Sequence, residues 1–137
     1  MTTNVLFVCN RNAIRSPIAA ALLNHLGGGP AESAGITPGE ADPLSQAVMA
    51  ELDLSFPRGP RHVDTVRLGR FGLVVTLSPQ AQHRMLDLAR NTQVAVEYWQ
   101  VADPSLADGS REQRLAAYRA VRDDLLKKLK ERFQTGA

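Results

Sequence analysis

The stretch Val5-Leu6-Phe7-Val8-Cys9-Asn10-Arg11-Asn12-Ala13-Ile14-Arg15-Ser16-Pro17 runs from an unbroken apolar segment, through a polar loop opened by a cysteine, into residues with helical spacing. Four consecutive apolar residues closed by a polar break read as a strand buried on both faces. Ile18, Leu22, Leu23 and Leu26 then mark one side of a helix that Gly27-Gly28-Gly29-Pro30 ends. A strand, a tight loop and a helix in that order form the unit from which parallel sheets are built.

The same alternation continues along the chain. Ala31 to Ala34 reads as a second strand before the breakers Gly35, Pro38 and Gly39, and Pro43 to Leu52 has helical spacing through Leu44, Ala47, Val48 and Leu52. Leu73 to Leu77 is the strongest later strand signal. A helix follows from about Pro79 to Ala89, with proline suited to its first turn. Val94 to Tyr98 gives a fourth strand. Ser110, with Gln113 three residues on, makes a capping box for a long last helix carrying Tyr118, Val121, Leu125, Leu129 and Phe133. The expected fold is therefore α/β: a small doubly wound parallel four-stranded sheet with helices on both faces, in one domain spanning residues 1–137.

With 44% apolar residues in 137, the chain can bury a real core. Its 16 basic and 14 acidic residues leave a formal charge of +2, too balanced to attract nucleic acid or a membrane surface. Neither partner is expected. Met1-Thr2-Thr3-Asn4 lacks a basic region with an apolar run behind it, and no window approaches roughly 18 apolar residues, so a cytoplasmic location is expected. Cys9 is the single cysteine, which excludes an internal disulfide. His25, His62 and His83 are scattered and have no second thiol to complete a ligand spacing, so no metal or other cofactor is expected.

In doubly wound sheets ligands bind just beyond the carboxyl ends of the strands, and Cys9 occupies such an end. Successive backbone N–H groups and a helix dipole stabilise a thiolate by the same field that attracts an oxyanion. Arg15 can return to the loop mouth and hold two oxygens through its planar fork, a geometry lysine lacks. Ser16 can donate its hydroxyl to the sulfur, and Asn12 tolerates the left-handed backbone that a phosphate-cradling loop needs. Taken singly these features are ordinary: a lone cysteine at a strand end is usually a small buried apolar group, and Arg-Ser before a helix is usually a solvated chain and a cap. Together, at this spacing, they point to nucleophilic attack on a bound tetrahedral oxyanion.

At these residues the sequence resembles the low-molecular-weight protein tyrosine phosphatase family and its relatives, the thioredoxin-coupled arsenate reductases. The resemblance covers Val5 to Cys9, Asn12, Arg15-Ser16-Pro17, Ser33-Ala34-Gly35, Leu73 to Leu77 and Asp103-Pro104. It implies an enzyme that hydrolyses phosphomonoesters through a cysteinyl-phosphate. Cys9 would be the nucleophile, and the loop amides of Asn10, Arg11, Asn12, Ala13, Ile14 and Arg15 would bind the equatorial oxygens. The Arg15 side chain and Ser16 would assist. Asp103 would be the acid that protonates the leaving group and then activates water. The implied partner is a phosphorylated protein, a small phosphomonoester or another tetrahedral oxyanion.

Five positions depart from the family pattern. Arg11 stands where glycine is usual, so that the loop either tolerates a side chain, changes shape, or gains a cation at its mouth. Ile14 replaces a second cysteine common among the phosphatases, and Ser105-Leu106 replace the tyrosines that follow Asp-Pro. The C-terminal stretch looks closer to the arsenate reductases, yet Ser78 stands about where their first relay cysteine belongs. That makes a single-cysteine arsenate reductase using an external small thiol the second expectation, and a non-catalytic oxyanion-binding domain the third. Tyr98 and Trp99 are expected near the site rim, as packing residues before substrate contacts. Asp42, Asp53, Asp64, Asp87 and Asp108 read as surface or turn residues.

Overall fold

The computed structural model describes residues 4–133. The reading of Met1-Thr2-Thr3 and the last four residues of the expected domain lie outside the described residues. In chain order the elements are β1 (Val5–Cys9), α1 (Arg15–His25), β2 (Ala31–Gly35), α2 (Pro43–Ala50), β3 (Leu73–Thr76), α3 (Pro79–Leu88), β4 (Ala95–Tyr98) and α4 (Arg111–Phe133). Short 3-10 turns at Val63–Thr65, Leu68–Arg70 and Pro104–Leu106 punctuate the longer connections.

All strand pairs are parallel, in the order β2-β1-β3-β4. The chain steps outward from β1 to β2 and then crosses back over β1 to β3, so the winding reverses between β1 and β3. This is the doubly wound sheet expected from the sequence. Cys9, the last residue of β1, stands at that switch point, opposite Gly35 of β2.

The pleat decides which residues meet which helices. Val5, Phe7 and Cys9 point with Leu73 and Val75 into a cluster holding Ile18, Leu22 and Leu23 of α1 and Val121, Leu125 and Leu129 of α4. Leu6, Val8 and Val74 point the other way, onto Ala81 and Met85 of α3. Helices therefore cover both faces, and every residue of β1 is buried. Truncating a side chain such as Phe7 to alanine in so closed a setting costs about 3–5 kcal/mol. α2 packs on α4 through Val48, Leu115 and Tyr118.

Element ends follow from local chemistry. Ser110 Oγ accepts from Gln113 N–H at 3.1 Å while Ser110 N–H donates to Gln113 Oε1 at 2.8 Å, the reciprocal bonds of the expected capping box. α2 stops two residues earlier than its apolar spacing predicts. Asp53 takes φ 59°, and Leu54 N–H bonds back to Met49 O, so the chain turns out of the helix in a left-handed stop with aspartate in glycine's usual place.

Candidate active site

The loop between β1 and α1 is clamped from outside by the segment that follows β2. Ile36, Thr37 and Gly39 donate their N–H groups to the carbonyls of Cys9, Asn10 and Arg11 at 3.2, 2.8 and 3.0 Å. Gly35 opens that segment. A Cβ there would come within 2.9 Å of Asn10 O, Asn12 N and Asn12 Cβ, so the loop needs a bare backbone against it. The Ser33-Ala34-Gly35 match therefore has a steric cause.

Asn12 has φ 54°, the left-handed geometry expected of it, and is buried. Its Nδ2 donates to Ser16 Oγ at 2.8 Å and its Oδ1 accepts from Arg61 N–H at 3.0 Å. Arg61 is itself anchored on β2, through Nε to Ser33 O and Nη2 to Glu32 Oε1. Burial alone would raise the Glu32 carboxyl, but the hydrogen bond and charge of Arg61, with Arg70 behind it, hold it below its usual range. Thus a residue about fifty positions away fixes the loop's one left-handed turn. Arg11 is absent from the left-handed residues, so its side chain adds no backbone strain there.

Cys9 Sγ lies 3.0 Å from Ser16 Oγ. Because that hydroxyl accepts from Asn12, its own proton is free for the sulfur; Ala34 O, at 3.4 Å, is the longer alternative. α1 begins at Arg15 with Ile14 as its cap residue, which supplies no side-chain hydrogen bond, and its first turn holds no acidic residue. The positive end of its dipole thus has neither a side-chain cap nor an acidic neighbour in the first turn.

Arg15 is only 8% exposed. Nη1 donates to Leu77 O at 3.3 Å and Val101 O at 3.1 Å, while Nη2 reaches Asp103 Oδ2 at 3.9 Å, beyond hydrogen-bonding distance. A buried guanidinium with that half of its fork so thinly compensated favours an incoming oxyanion. Asp103 is held from its other side, Oδ1 accepting from the Ser105 amide and hydroxyl at 3.0 and 2.7 Å. One carboxylate oxygen is fixed and the other faces Arg15.

These groups open into one cleft of about 680 Å³, lined by Cys9, Asn10, Arg11, Ala13, Ile14, Arg15, Pro38 to Pro43, Asp103 and Ser105. Asn12 and Ser16 sit behind it as braces. The cleft also contains Glu40 and Asp42, which sequence reasoning missed. Asp42 caps α2 through Oδ1 and accepts from Tyr118 Oη on α4 at 2.9 Å through Oδ2. Burial first, then this bond, then the charges of Asp42 and Asp103 push the Tyr118 hydroxyl above its ordinary value. The only sequence sign was Asp-Pro ahead of a helical pattern, the same dipeptide that flags Asp103.

The low molecular weight phosphotyrosine protein phosphatase family matches residues 4–135. The chain belongs to this family. Among known proteins it is similar to an arsenate reductase from Bacillus subtilis, 29% identical over 96% of both chains. Its fold is similar to the crystal structure of an arsenate reductase from Archaeoglobus fulgidus, with TM-score 0.77 and 30% identity over 96% of this chain and 99% of the other. It is also similar to the structure of a protein tyrosine phosphatase, with TM-score 0.80 and 26% identity over 98% and 95%.

Against that family, this phosphatase-type site shows its departures plainly. Ser78, at about the relay-cysteine position, caps α3 through Ala81 N–H and donates to Asn10 Oδ1 at 2.6 Å, tying the loop to the next helix. Ile14 is partly buried between two apolar clusters. Tyr98 and Trp99 do not reach the cleft, contrary to their expected place at its rim. Trp99 packs edge-on against Phe7 and near Phe133, and Tyr98 lines a shallow surface depression by Lys128. The packing reading holds for Trp99, whereas Tyr98 is exposed and belongs to neither the cleft nor the core. Among the described residues no helix is long and apolar enough to cross a membrane.

Proposed function

We propose that this protein hydrolyses phosphomonoesters through a cysteinyl-phosphate. The observation that carries the reading is the convergence of Cys9, Arg15 and Asp103 on one cleft at the sheet's switch point. The Cys9 thiolate attacks phosphorus in line with the ester oxygen while the loop amides and Arg15 hold the equatorial oxygens. Asp103 gives its proton to the departing oxygen. Water, deprotonated by the same carboxylate, then attacks phosphorus, breaking the S–P bond and releasing inorganic phosphate and the Cys9 thiolate. The step needs no external reductant.

Para-nitrophenyl phosphate turnover tests it. The native chain releases nitrophenol and phosphate, and Cys9→Ser abolishes both, by roughly 10⁴-fold or more. Unchanged turnover in Cys9→Ser overturns the reading.

The 30% identity to an arsenate reductase favours a second reading, arsenate reduction. With Cys9 the only cysteine, an external thiol would have to attack the Cys9 sulfur of an arsenate adduct. That forms a mixed disulfide as two electrons pass to arsenic and arsenite leaves. Arsenite release that depends on added thiol, without aryl phosphate hydrolysis, would replace the first reading with this one.

A further inference from the structure

Arg11 is the one loop residue whose side chain is both charged and exposed, and the proposed chemistry makes no use of its guanidinium. The wall opposite is shaped to receive it. A Cβ on Gly39 would come within 2.5 to 3.0 Å of Arg11 Nε, Nη2 and Cζ, so the guanidinium lies across a glycine that offers it a bare backbone. Gly39 N–H also holds the Arg11 carbonyl at 3.0 Å, fixing both ends of the residue to the same wall. Arg11 lines the cleft of Cys9 and Asp103, yet it takes part in no ion pair or side-chain hydrogen bond among the described residues. Arg15, its neighbour in the cleft, is by contrast committed to two carbonyls and faces Asp103.

We infer that Arg11 is a specificity-determining residue that recognises a second anionic group, on the leaving-group side of the phosphomonoester. This rests on the phosphatase reading above and deepens it by naming a substrate class: esters whose non-phosphate part carries a carboxylate or a further phosphate. A guanidinium docked on the cleft wall meets such a group with two parallel donors. The acidic groups of the same cleft set the direction of the test. Asp42 is occupied by the α2 amides and Tyr118, and Asp103 by Ser105, whereas Glu40 is exposed and in no ion pair among the described residues. Glu40 therefore opposes Arg11 and favours leaving groups without the second charge.

The test is a ratio of ratios, which cancels intrinsic differences between leaving groups. kcat/KM is measured for 4-carboxyphenyl phosphate and for phenyl phosphate in the native chain, Arg11→Gln, Arg11→Lys, Glu40→Gln and Arg90→Gln. Arg11→Gln lowers the carboxyphenyl-to-phenyl ratio roughly 5-fold, Arg11→Lys lowers it less, and Glu40→Gln raises it. Arg90→Gln, which removes the same charge from an exposed site beyond α3, leaves it within about 2-fold. The Arg11 effect shrinks as salt rises from about 0.02 to 0.5 M. A ratio unchanged in Arg11→Gln, or changed equally in Arg90→Gln, overturns the assignment.

Calorimetric binding of the two compounds to the Cys9→Ser protein, with and without Arg11→Gln, reads the same ratio without turnover. Failure of hydrolysis in the native chain would thus sink the phosphatase reading while the binding ratio still decides Arg11. Phosphotyrosine peptides with aspartate or alanine beside the phosphoresidue show whether a peptide can supply the second anion. Sensitivity of that pair to Arg11→Gln assigns the group to a protein substrate, and sensitivity of the aryl pair alone assigns it to a small molecule.

Discussion

Two adjacent strands leave the sheet by opposite devices. β3 passes into α3 through Ser78, whose hydroxyl caps the helix, with proline at the first helical position. β1 passes into α1 through four loop residues, Asn10 to Ala13, and a cap residue, Ile14, that contributes no side-chain bond. The first junction satisfies its own amides and is structural. The second forgoes a cap, usually worth about 1 kcal/mol, and leaves its amides and dipole without a side-chain partner, as the proposed oxyanion site requires. Arg15 spans the two, since its guanidinium holds the carbonyl of Leu77 just past β3 while facing the Cys9 loop. On the proposed function, a helix start without a cap, beside one that has it, marks where the chain gives up stability for binding.

Substitutions can break or sharpen this contrast. The largest effect is expected of Arg15→Lys, which keeps the charge but loses the fork; kcat/KM for aryl phosphate falls by about 10²–10³-fold, checked by steady-state kinetics. Asp103→Asn comes next, with kcat falling by roughly 10²-fold and more steeply for poor leaving groups, so that a plot of rate against leaving-group pKa gains slope. Ser78→Ala strikes the structural junction. Stability drops by about 1 kcal/mol, or roughly 3 to 5 °C in Tm, whereas kcat/KM falls less than about 10-fold through the loosened Asn10.

The smallest effect lies away from both junctions. Hydrogen bonds from Arg119 and then Arg122 hold the Glu51 carboxyl down at about 2. Its folded value is lower than its unfolded one, so its contribution to stability is present above roughly pH 4.5 and is lost as pH falls toward 2. Thermal melts of native and Glu51→Gln chains should differ at neutral pH and converge across that window, by less at high salt.

The sheet could be read from the sequence because β1 and β3 are buried on both faces and leave unbroken apolar runs. The candidate Cys9 loop could be read because the residues that suggest its chemistry are packed into a few consecutive positions. Arg61 and Asp42 could not, for they reach the site through the tertiary path of residues 36–62, a stretch with little periodicity. Their partners, Asn12 and Tyr118, are remote in sequence. Tyr98 and Trp99 went astray for a geometric reason. Tyr98 ends the edge strand β4 and faces solvent, while Trp99, just past it, turns inward onto Phe7 and Phe133. Asp103 carried little signal of its own and became legible only beside Cys9.

β1 is flanked by a strand on each side and by helices above and below, whereas β4 is half-exposed at the sheet edge. Amide exchange with deuterated solvent should therefore be slowest in Val5 to Cys9, requiring opening of the whole fold, and faster in Ala95 to Tyr98, where partial opening suffices. The proposed nucleophile would then hang from the last part of the molecule to come apart. Loss of the thiol's reactivity in denaturant will consequently coincide with global unfolding and lag behind any fraying at the β4 edge.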